Sequence, residues 1–245
     1  MTQRHADPPA APVALRMDWL RLAFLHWPYE PRAVQRLLPA GLTVDEWAGR
    51  AWVGLTPFTM ADVRLAGRLP LPGPGRFPET NLRTYVRGPD GRDGLWFFSL
   101  EAAHPLVVAA ARTLLGAPYR LGRLRVEDGG ERIDYAGRRA GGGAAYRVRL
   151  RPGGAVVPAD LEIWLTSRWR AYTRHAGLFW EVPVDHEPWP LRAATCEEAT
   201  ESLTAAAGLP APAGPPLAHF SDGVRGVRAG PPRALRRKAA PPAAR

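Results

Sequence analysis

Residues 79–102 constrain the fold of this chain more than any other stretch. Glu79, Asn81, Arg83 and Tyr85 alternate with Thr80, Leu82, Thr84 and Val86. Successive side chains of a strand point to opposite faces, so this period of two predicts a strand over Glu79–Arg87. Pro89-Asp90-Gly91 then supplies turn chemistry: a preset φ, a side chain that bonds its own backbone, and a residue tolerant of positive φ. Leu95–Ala102 returns as the partner strand, which makes a hairpin. A chain with such a hairpin at its centre folds around a β-sheet.

The remaining sequence is cut into short pieces by 27 prolines and 25 glycines. Asp18–His26 reads as a buried strand broken by Pro28 and Pro31. Pro31 suits the first turn of a short helix carrying Val34, Leu37 and Leu38, stopped by Pro39 and Gly41. Leu42–Glu46 and Ala51–Leu65 read as strands, and residues 66–78 as a loop. His104–Leu115 has helical spacing with Gly116 as its stop. Tyr119–Val126, Arg132–Gly137 and Tyr146–Arg151 read as a meander. Asp160 is an N-cap for a helix through Trp169. Ala171–His175 and Leu178–Val184 read as strands, and Thr195-Cys196-Glu197-Glu198 as a capping box opening a helix that ends near Gly208. Leu217–Arg228 is the last strand. The sum is a β-rich α+β domain over residues 17–228, with about ten strands and four short helices. A flexible leader (1–16) precedes it and a disordered basic Pro/Ala-rich tail (229–245) follows.

The net charge of +10 looks like a polyanion signal until it is divided. Arg225, Arg228, Arg233, Arg236, Arg237, Lys238 and Arg245 stand in the last 22 residues, without one acid among them. The body is therefore close to neutral. Of 33 basic residues only Lys238 is a lysine. No helix-turn-helix, zinc-finger or RNP pattern accompanies the charge, so nucleic-acid binding is reduced to weak, salt-sensitive association through the tail. The glycine-rich stretches lack the spacing of phosphate-binding loops. The longest apolar run, Leu106–Ala111, is far shorter than the ~20 residues that span a bilayer. With no signal-peptide pattern and one cysteine, Cys196, the expectation is a soluble cytoplasmic protein without disulfides and without a membrane partner.

Candidate chemistry concentrates on the hairpin. The face of Glu79, Asn81, Arg83 and Tyr85 is uniformly polar. It either meets solvent or forms the polar wall of a cavity where Glu79 and Arg83 hold a ligand or each other. On the partner strand, strict alternation puts Trp96, Phe98 and Leu100 on one face and Phe97, Ser99 and Glu101 on the other. If Glu79 and Glu101 approach each other, one carboxyl gains a raised pKa and can serve as acid or base. Arg83 suits an anionic group through its bidentate fork, with Asn81, Tyr85 and Ser99 as further ligand-binding candidates. The histidines show no metal spacing, and no metal or cofactor is expected; a three-dimensional cluster of His26, His186 and His219 stays open. Cys196, at the predicted helix start, is either an acidified thiol or an inert buried one. Ser221 sits in no nucleophile elbow.

Several segments together resemble a known family. They are His26-Trp27-Pro28-Tyr29, Leu37-Leu38-Pro39-Ala40-Gly41-Leu42, Trp52-Val53-Gly54-Leu55-Thr56-Pro57-Phe58, Phe77-Pro78-Glu79-Thr80-Asn81-Leu82-Arg83-Thr84-Tyr85-Val86, Phe97-Phe98-Ser99-Leu100-Glu101 and His219-Phe220-Ser221. In these the chain resembles the YqjF-like bacterial proteins, a family of unknown function related to acetoacetate decarboxylase. The resemblance implies a cone-shaped antiparallel β-barrel, a few flanking helices and a central cavity. It gives Glu79 and Glu101 the positions of two cavity carboxylates. It also places Thr113-Leu114, ahead of Leu115-Gly116-Ala117-Pro118, where the decarboxylase has its paired lysines. Schiff-base formation needs a primary amine of lowered pKa; the neighbouring-cation device that lowers it is best known from acetoacetate decarboxylase itself. Threonine and leucine cannot supply the amine, nor can arginine. The expectation is a cavity protein for a small oxo acid or other carbonyl compound, without Schiff-base chemistry. Its alternative is a non-catalytic structural or interaction protein whose polar ladder braces the core. The sequence does not specify an oligomeric state.

Overall fold

The computed structural model describes residues 11–235. In chain order these form β1 (Leu15–Tyr29), α1 (Pro31–Gln35), β2 (Thr43–Val44), β3 (Ala51–Leu65), β4 (Leu69–Pro70), β5 (Arg76–Arg87), β6 (Asp93–Ala102) and α2 (Pro105–Leu115). There follow β7 (Tyr119–Asp128), β8 (Ile133–Arg139), β9 (Ala145–Ala155), α3 (Asp160–Thr166), β10 (Arg170–His175) and β11 (Leu178–Asp185). The last elements are β12 (Leu191–Glu201), α4 (Leu203–Ala206), β13 (Leu217–Ala229) and β14 (Arg233–Leu235). The hairpin at the centre is β5–β6, with Tyr85 opposite Leu95 and Glu79 opposite Ala102.

The strands join into one mixed sheet that forks at β6 and β13, among other places. One edge of β6 pairs with β5 throughout. Its other edge pairs with β10 at Leu95–Trp96 and with β7 at Leu100–Ala102, both in parallel. The purely antiparallel cone expected from the sequence is corrected by these two pairings. β13 forks likewise: one edge follows β1, the other meets β12 at His219–Ser221 and β11 at Arg228–Ala229. Three routes therefore connect β6 to β13: through β5–β3–β1, through β7–β8–β9–β12, and through β10–β11.

The β5–β3–β1 route is a wall with an apolar layer on each side. Ala23, Leu25, Trp27, Val53, Leu55, Leu82 and Val86 face Ile133 and Tyr135 of β8 and Tyr146, Val148 and Leu150 of β9. The opposite face carries Leu22, Phe24, Phe58, Met60 and Phe77, packed with Trp189, Val224 and Val227. Each fully buried aliphatic or aromatic side chain contributes roughly 1.5–3 kcal/mol. Where β13 crosses β1, Gly223 has φ +121°, and a Cβ there would lie 2.1 Å from the Trp19 carbonyl oxygen. Only glycine fits that crossing.

Several sequence expectations change. Pro28 does not end the first strand: it pairs opposite Trp52 of β3, and β13 accompanies β1 only as far as His26, so its missing N–H deprives no neighbour on that edge. Residues 195–201 continue β12 rather than open a helix, because Thr195–Glu201 pair with β9 along Tyr146–Arg151. The helix shrinks to α4. The tail is partly ordered, since Arg233–Leu235 form β14 on β11. Arg225 and Arg228 pair with Asp18 and Asp185. The leader's residues 1–10 and the tail from Arg236 on, Lys238 included, lie outside the described residues. No helix among the described residues is long and apolar enough to cross a membrane.

Candidate functional site

A cavity of about 190 Å³ lies between β5–β3–β1 and the β10–β11 route. Glu79, Asn81 and Arg83 of β5 form its polar wall, as the period of two requires. Thr56, Phe58 and Met60 of β3 stand beside them, and Arg168, Arg170, Thr173, His186 and Trp189 line the far side. Three of the four residues of the face that sequence left open between solvent and cavity line this cavity.

Glu79 is 2% exposed, and its Oε1 accepts a hydrogen bond from the Tyr119 hydroxyl at 3.1 Å. Oε2 is buried with no partner among the described residues. Burial pushes this carboxyl up to about 8, against the Tyr119 bond; the charge of Glu101 adds a smaller push in the same direction. Asn81 Oδ1 is likewise buried without a partner. Arg83 forms no ion pair among the described residues. Its Nη2 donates to the Leu165 carbonyl at 3.4 Å, its guanidinium carbon lies 5.7 Å from the Phe24 ring centre and 6.0 Å from that of Tyr85, and Nε has no partner among the described residues. Glu79 and Arg83 thus share the cavity without neutralising each other.

Glu101 and Ser99 are not in the cavity. Leu82 stands opposite Ser99 but Arg83 opposite Phe97, so Phe98 is a bulge residue that resets the alternation of β6. Phe97 and Leu100 both turn to the cavity, while Ser99 and Glu101 turn to the other face. There Arg139 Nη2 donates to Glu101 Oε1 at 2.6 Å and Ser99 Oγ donates to Oε2 at 3.2 Å. Thr80 Oγ1 donates to Tyr146 Oη beside them at 2.6 Å. Burial raises the Glu101 pKa despite the Arg139 and Ser99 bonds. The expected meeting of Glu79 and Glu101 is therefore replaced by two carboxyls on opposite faces, each raised mainly by its own burial.

Tyr85 does not line the cavity either. Its hydroxyl donates to the Leu165 carbonyl at 2.7 Å and meets His26 Nε2 at 2.8 Å. A phenol has one proton to give, so His26 Nε2 carries the hydrogen of that second bond. Burial holds the His26 imidazole well below its ordinary pKa. The three histidines left open by sequence do not form a metal cluster, and no group of three His, Cys, Asp or Glu among the described residues is arranged for one. His219 Nε2 lies 3.9 Å from Glu162. His186 stands between Trp19, Trp169 and Trp189, with ring centres 5.6, 4.7 and 4.8 Å away, and burial pushes it down to about 4. Cys196 lies within β12, and burial raises its thiol.

Sequence reasoning missed Tyr119, Thr173 and Arg168. Arg168 donates from Nη1 to Asp45 and Asp93, both at 2.9 Å, yet its Nη2 is buried without a partner among the described residues. Thr173 Oγ1 is in the same state. The available signal was Arg168-Trp169-Arg170, two cations flanking an aromatic at a helix-to-strand junction. Thr113 and Leu114 are exposed on α2; Leu115 and Ala117 line the cavity instead.

This architecture has known counterparts. An acetoacetate decarboxylase-like enzyme from Sphingomonas wittichii RW1 superimposes with a TM-score of 0.65 at 18% identity, over 92% of this chain and 94% of that one. Acetoacetate decarboxylase from Legionella pneumophila gives 0.62 at 14% identity, over 93% and 88%. The enduracididine biosynthesis enzyme MppR complexed with pyruvate gives 0.60 at 15%, over 94% and 92%. These identities establish a shared fold. YqjF of Bacillus subtilis (strain 168), an uncharacterized protein, is 34% identical over 223 residues, which are 89% of this chain and 92% of YqjF. Residues 16–225 match the model of DUF2071, described as an uncharacterized conserved protein, and the chain belongs to that family.

Proposed function

We propose that this protein binds a small oxo acid, or a related carbonyl compound, in the cavity walled by Glu79, Asn81 and Arg83, without Schiff-base chemistry. One observation carries the reading. Three side chains on one strand face each keep a buried polar atom with no partner among the described residues, and all three line the same cavity. Each such atom costs about 1–3 kcal/mol unless something bonds to it. A ligand with a carboxylate and a carbonyl oxygen meets that need. Arg83, free of any acid, takes the carboxylate. Glu79, with a pKa pushed to about 8, is largely protonated at neutral pH and donates to a carbonyl or transfers a proton.

Size allows a small organic ligand, since about 190 Å³ is many times the ~10–15 Å³ that a single water needs. The MppR structure with pyruvate supports an oxo acid as the ligand class on this fold. The chain's single lysine lies outside the described residues, and Thr113 and Leu114 occupy the paired-lysine positions of the resemblance. We read the closed run β6–β10–β11–β13–β1–β3–β5 as the cone around the ligand. The bracing role is assigned to the other face, where Arg139 and Ser99 both bond Glu101 and Thr80 bonds Tyr146.

The test is a thermal-shift panel of oxo acids and matched alkanoic acids against the wild type, Arg83→Met and Glu79→Gln. Oxo acids should raise the Tm of the wild type and leave that of Arg83→Met unmoved. Equal shifts in both proteins, or none in either, would sink the proposal.

A further inference from the structure

We infer that the preferred ligand is a monoanion with an apolar body, carrying one carboxylate for Arg83 and a hydrocarbon chain where a diacid would carry its second carboxylate. This rests on the binding role proposed above and narrows its substrate class.

Charge limits the cavity to one carboxylate. Arg83, Arg168 and Arg170 line it. Two of these are already matched by acids. Arg168 donates to Asp45 and Asp93, both at 2.9 Å, and Arg170 pairs with Asp93 at 3.0 Å and with Glu181 at 3.8 Å. Arg87 and Arg92, both half-exposed, complete this network on Asp45 and Glu181. An anion brought to Arg168 therefore meets the field of two aspartates as well. Arg83 has no acid among the described residues, so a single carboxylate answers the unmatched cation. Thr173 adds a donor beside it. The parallel register Ala171 to Leu95 and Tyr172 to Trp96 carries Thr173 next to Phe97, which stands opposite Arg83, and Thr173 Oγ1 has no partner among the described residues. Glu79 cannot hold a second carboxylate as a cation would. Ionised it repels one, and protonated it offers one hydrogen bond.

Much of the remaining lining is hydrocarbon. Glu79 stands opposite Phe58 of β3, and two residues further along that strand Met60 stands opposite Trp19 of β1. Met17 and Leu15 extend the lining along β1. Val184 of β11 pairs with Ala229 of β13, which pairs in turn with Leu15, so Val184 and Val182 line the same end from the other side. Leu15, Met17, Trp19, Met60, Val182 and Val184 carry no ionisable group, and the indole N–H of Trp19 is their one side-chain donor. His186, with its ring centre 5.6 Å from that of Trp19, is held neutral by burial, which pushes it down to about 4. Leu15, Trp19, Val182 and Val184 are only partly covered by the protein. A methylene laid against them leaves water at a gain. A carboxylate there would give up its water without meeting a cation.

The experiment varies the chain and then its far end. Calorimetry on the full chain at about pH 6 gives dissociation constants for 2-oxobutanoate, 2-oxopentanoate, 2-oxohexanoate and 2-oxohexanedioate; the last has the carbon number of the third and a second carboxylate. Each added methylene in the monoacid series should tighten binding about fourfold. The diacid should bind at least about tenfold more weakly than 2-oxohexanoate. Val184→Arg puts a cation at the apolar end and should reverse that preference; a preference that stays unchanged counts against the inference. Where that variant does not fold, the wild-type series decides alone. A flat monoacid series, or a diacid that binds the wild type as tightly as 2-oxohexanoate, overturns the inference and leaves the oxo-acid reading standing. No binding of any of the four overturns both.

Discussion

Replacing Glu79 by glutamine should relieve a pH-dependent weakness of the folded state. Burial moves the Glu79 pKa from 4.5 to about 8. Between those values the folded protein holds a proton that the unfolded chain has released. The stability associated with the neutral carboxyl is complete below about pH 4.5, declines as the pH rises, and is lost above about pH 8. At 1.36 kcal/mol per pH unit the whole displacement corresponds to roughly 5 kcal/mol. Glutamine keeps an oxygen to accept the Tyr119 hydroxyl and carries no charge. Glu101 also has a raised pKa and titrates in both proteins; its coupling to Glu79 is a smaller contribution than burial, so the difference reads mainly the burial of Glu79. Urea unfolding at steps from about pH 5 to about pH 9 reads the effect. The variant should match the wild type at the acid end and exceed it increasingly toward the alkaline end. A difference that does not change with pH would refute the claim that Glu79 is protonated in the folded protein at neutral pH.

Other substitutions separate the two faces of the hairpin. Arg83→Met removes an unpaired cation and should change the unfolding free energy by no more than about 1 kcal/mol, while abolishing ligand-induced Tm shifts. Arg139→Met leaves Glu101 buried with only Ser99, so urea unfolding should show a loss of about 3–5 kcal/mol, with ligand binding retained. Gly223→Ala forces a Cβ against the Trp19 carbonyl at φ +121°, and should cost about 3 kcal/mol or more by thermal denaturation. Leu115→Lys puts an amine on the cavity lining, whereas Thr113→Lys puts one on the exposed side of α2. Borohydride trapping with an oxo acid should add mass to the first variant alone.

The sequence exposed what depends on local pattern. The alternation of residues 79–86, the turn at Pro89-Asp90-Gly91 and the Gly116 stop of α2 all follow from short-range sterics, and each forms where expected. The polar wall was legible because Glu79, Asn81 and Arg83 obey an unbroken period of two. Glu101 was misplaced because one bulge at Phe98 reverses every later side chain, and no local residue preference marks a bulge there. The capping-box pattern at Thr195–Glu198 was overridden by pairing with β9, a tertiary effect that propensity does not contain. Thr173 and Arg168 stayed hidden because only the parallel pairing of β10 with β6 brings them to the cavity.

The central claim is that Arg83 and Glu79 face one ligand together. Calorimetric titration of the oxo acid that raises the Tm most, at about pH 6, where Glu79 is protonated, tests it most directly. The account requires saturable binding to the wild type with a Kd in or below the millimolar range, and no measurable binding to Arg83→Met. Unchanged affinity in Arg83→Met, or a wild type that releases no heat, would contradict it.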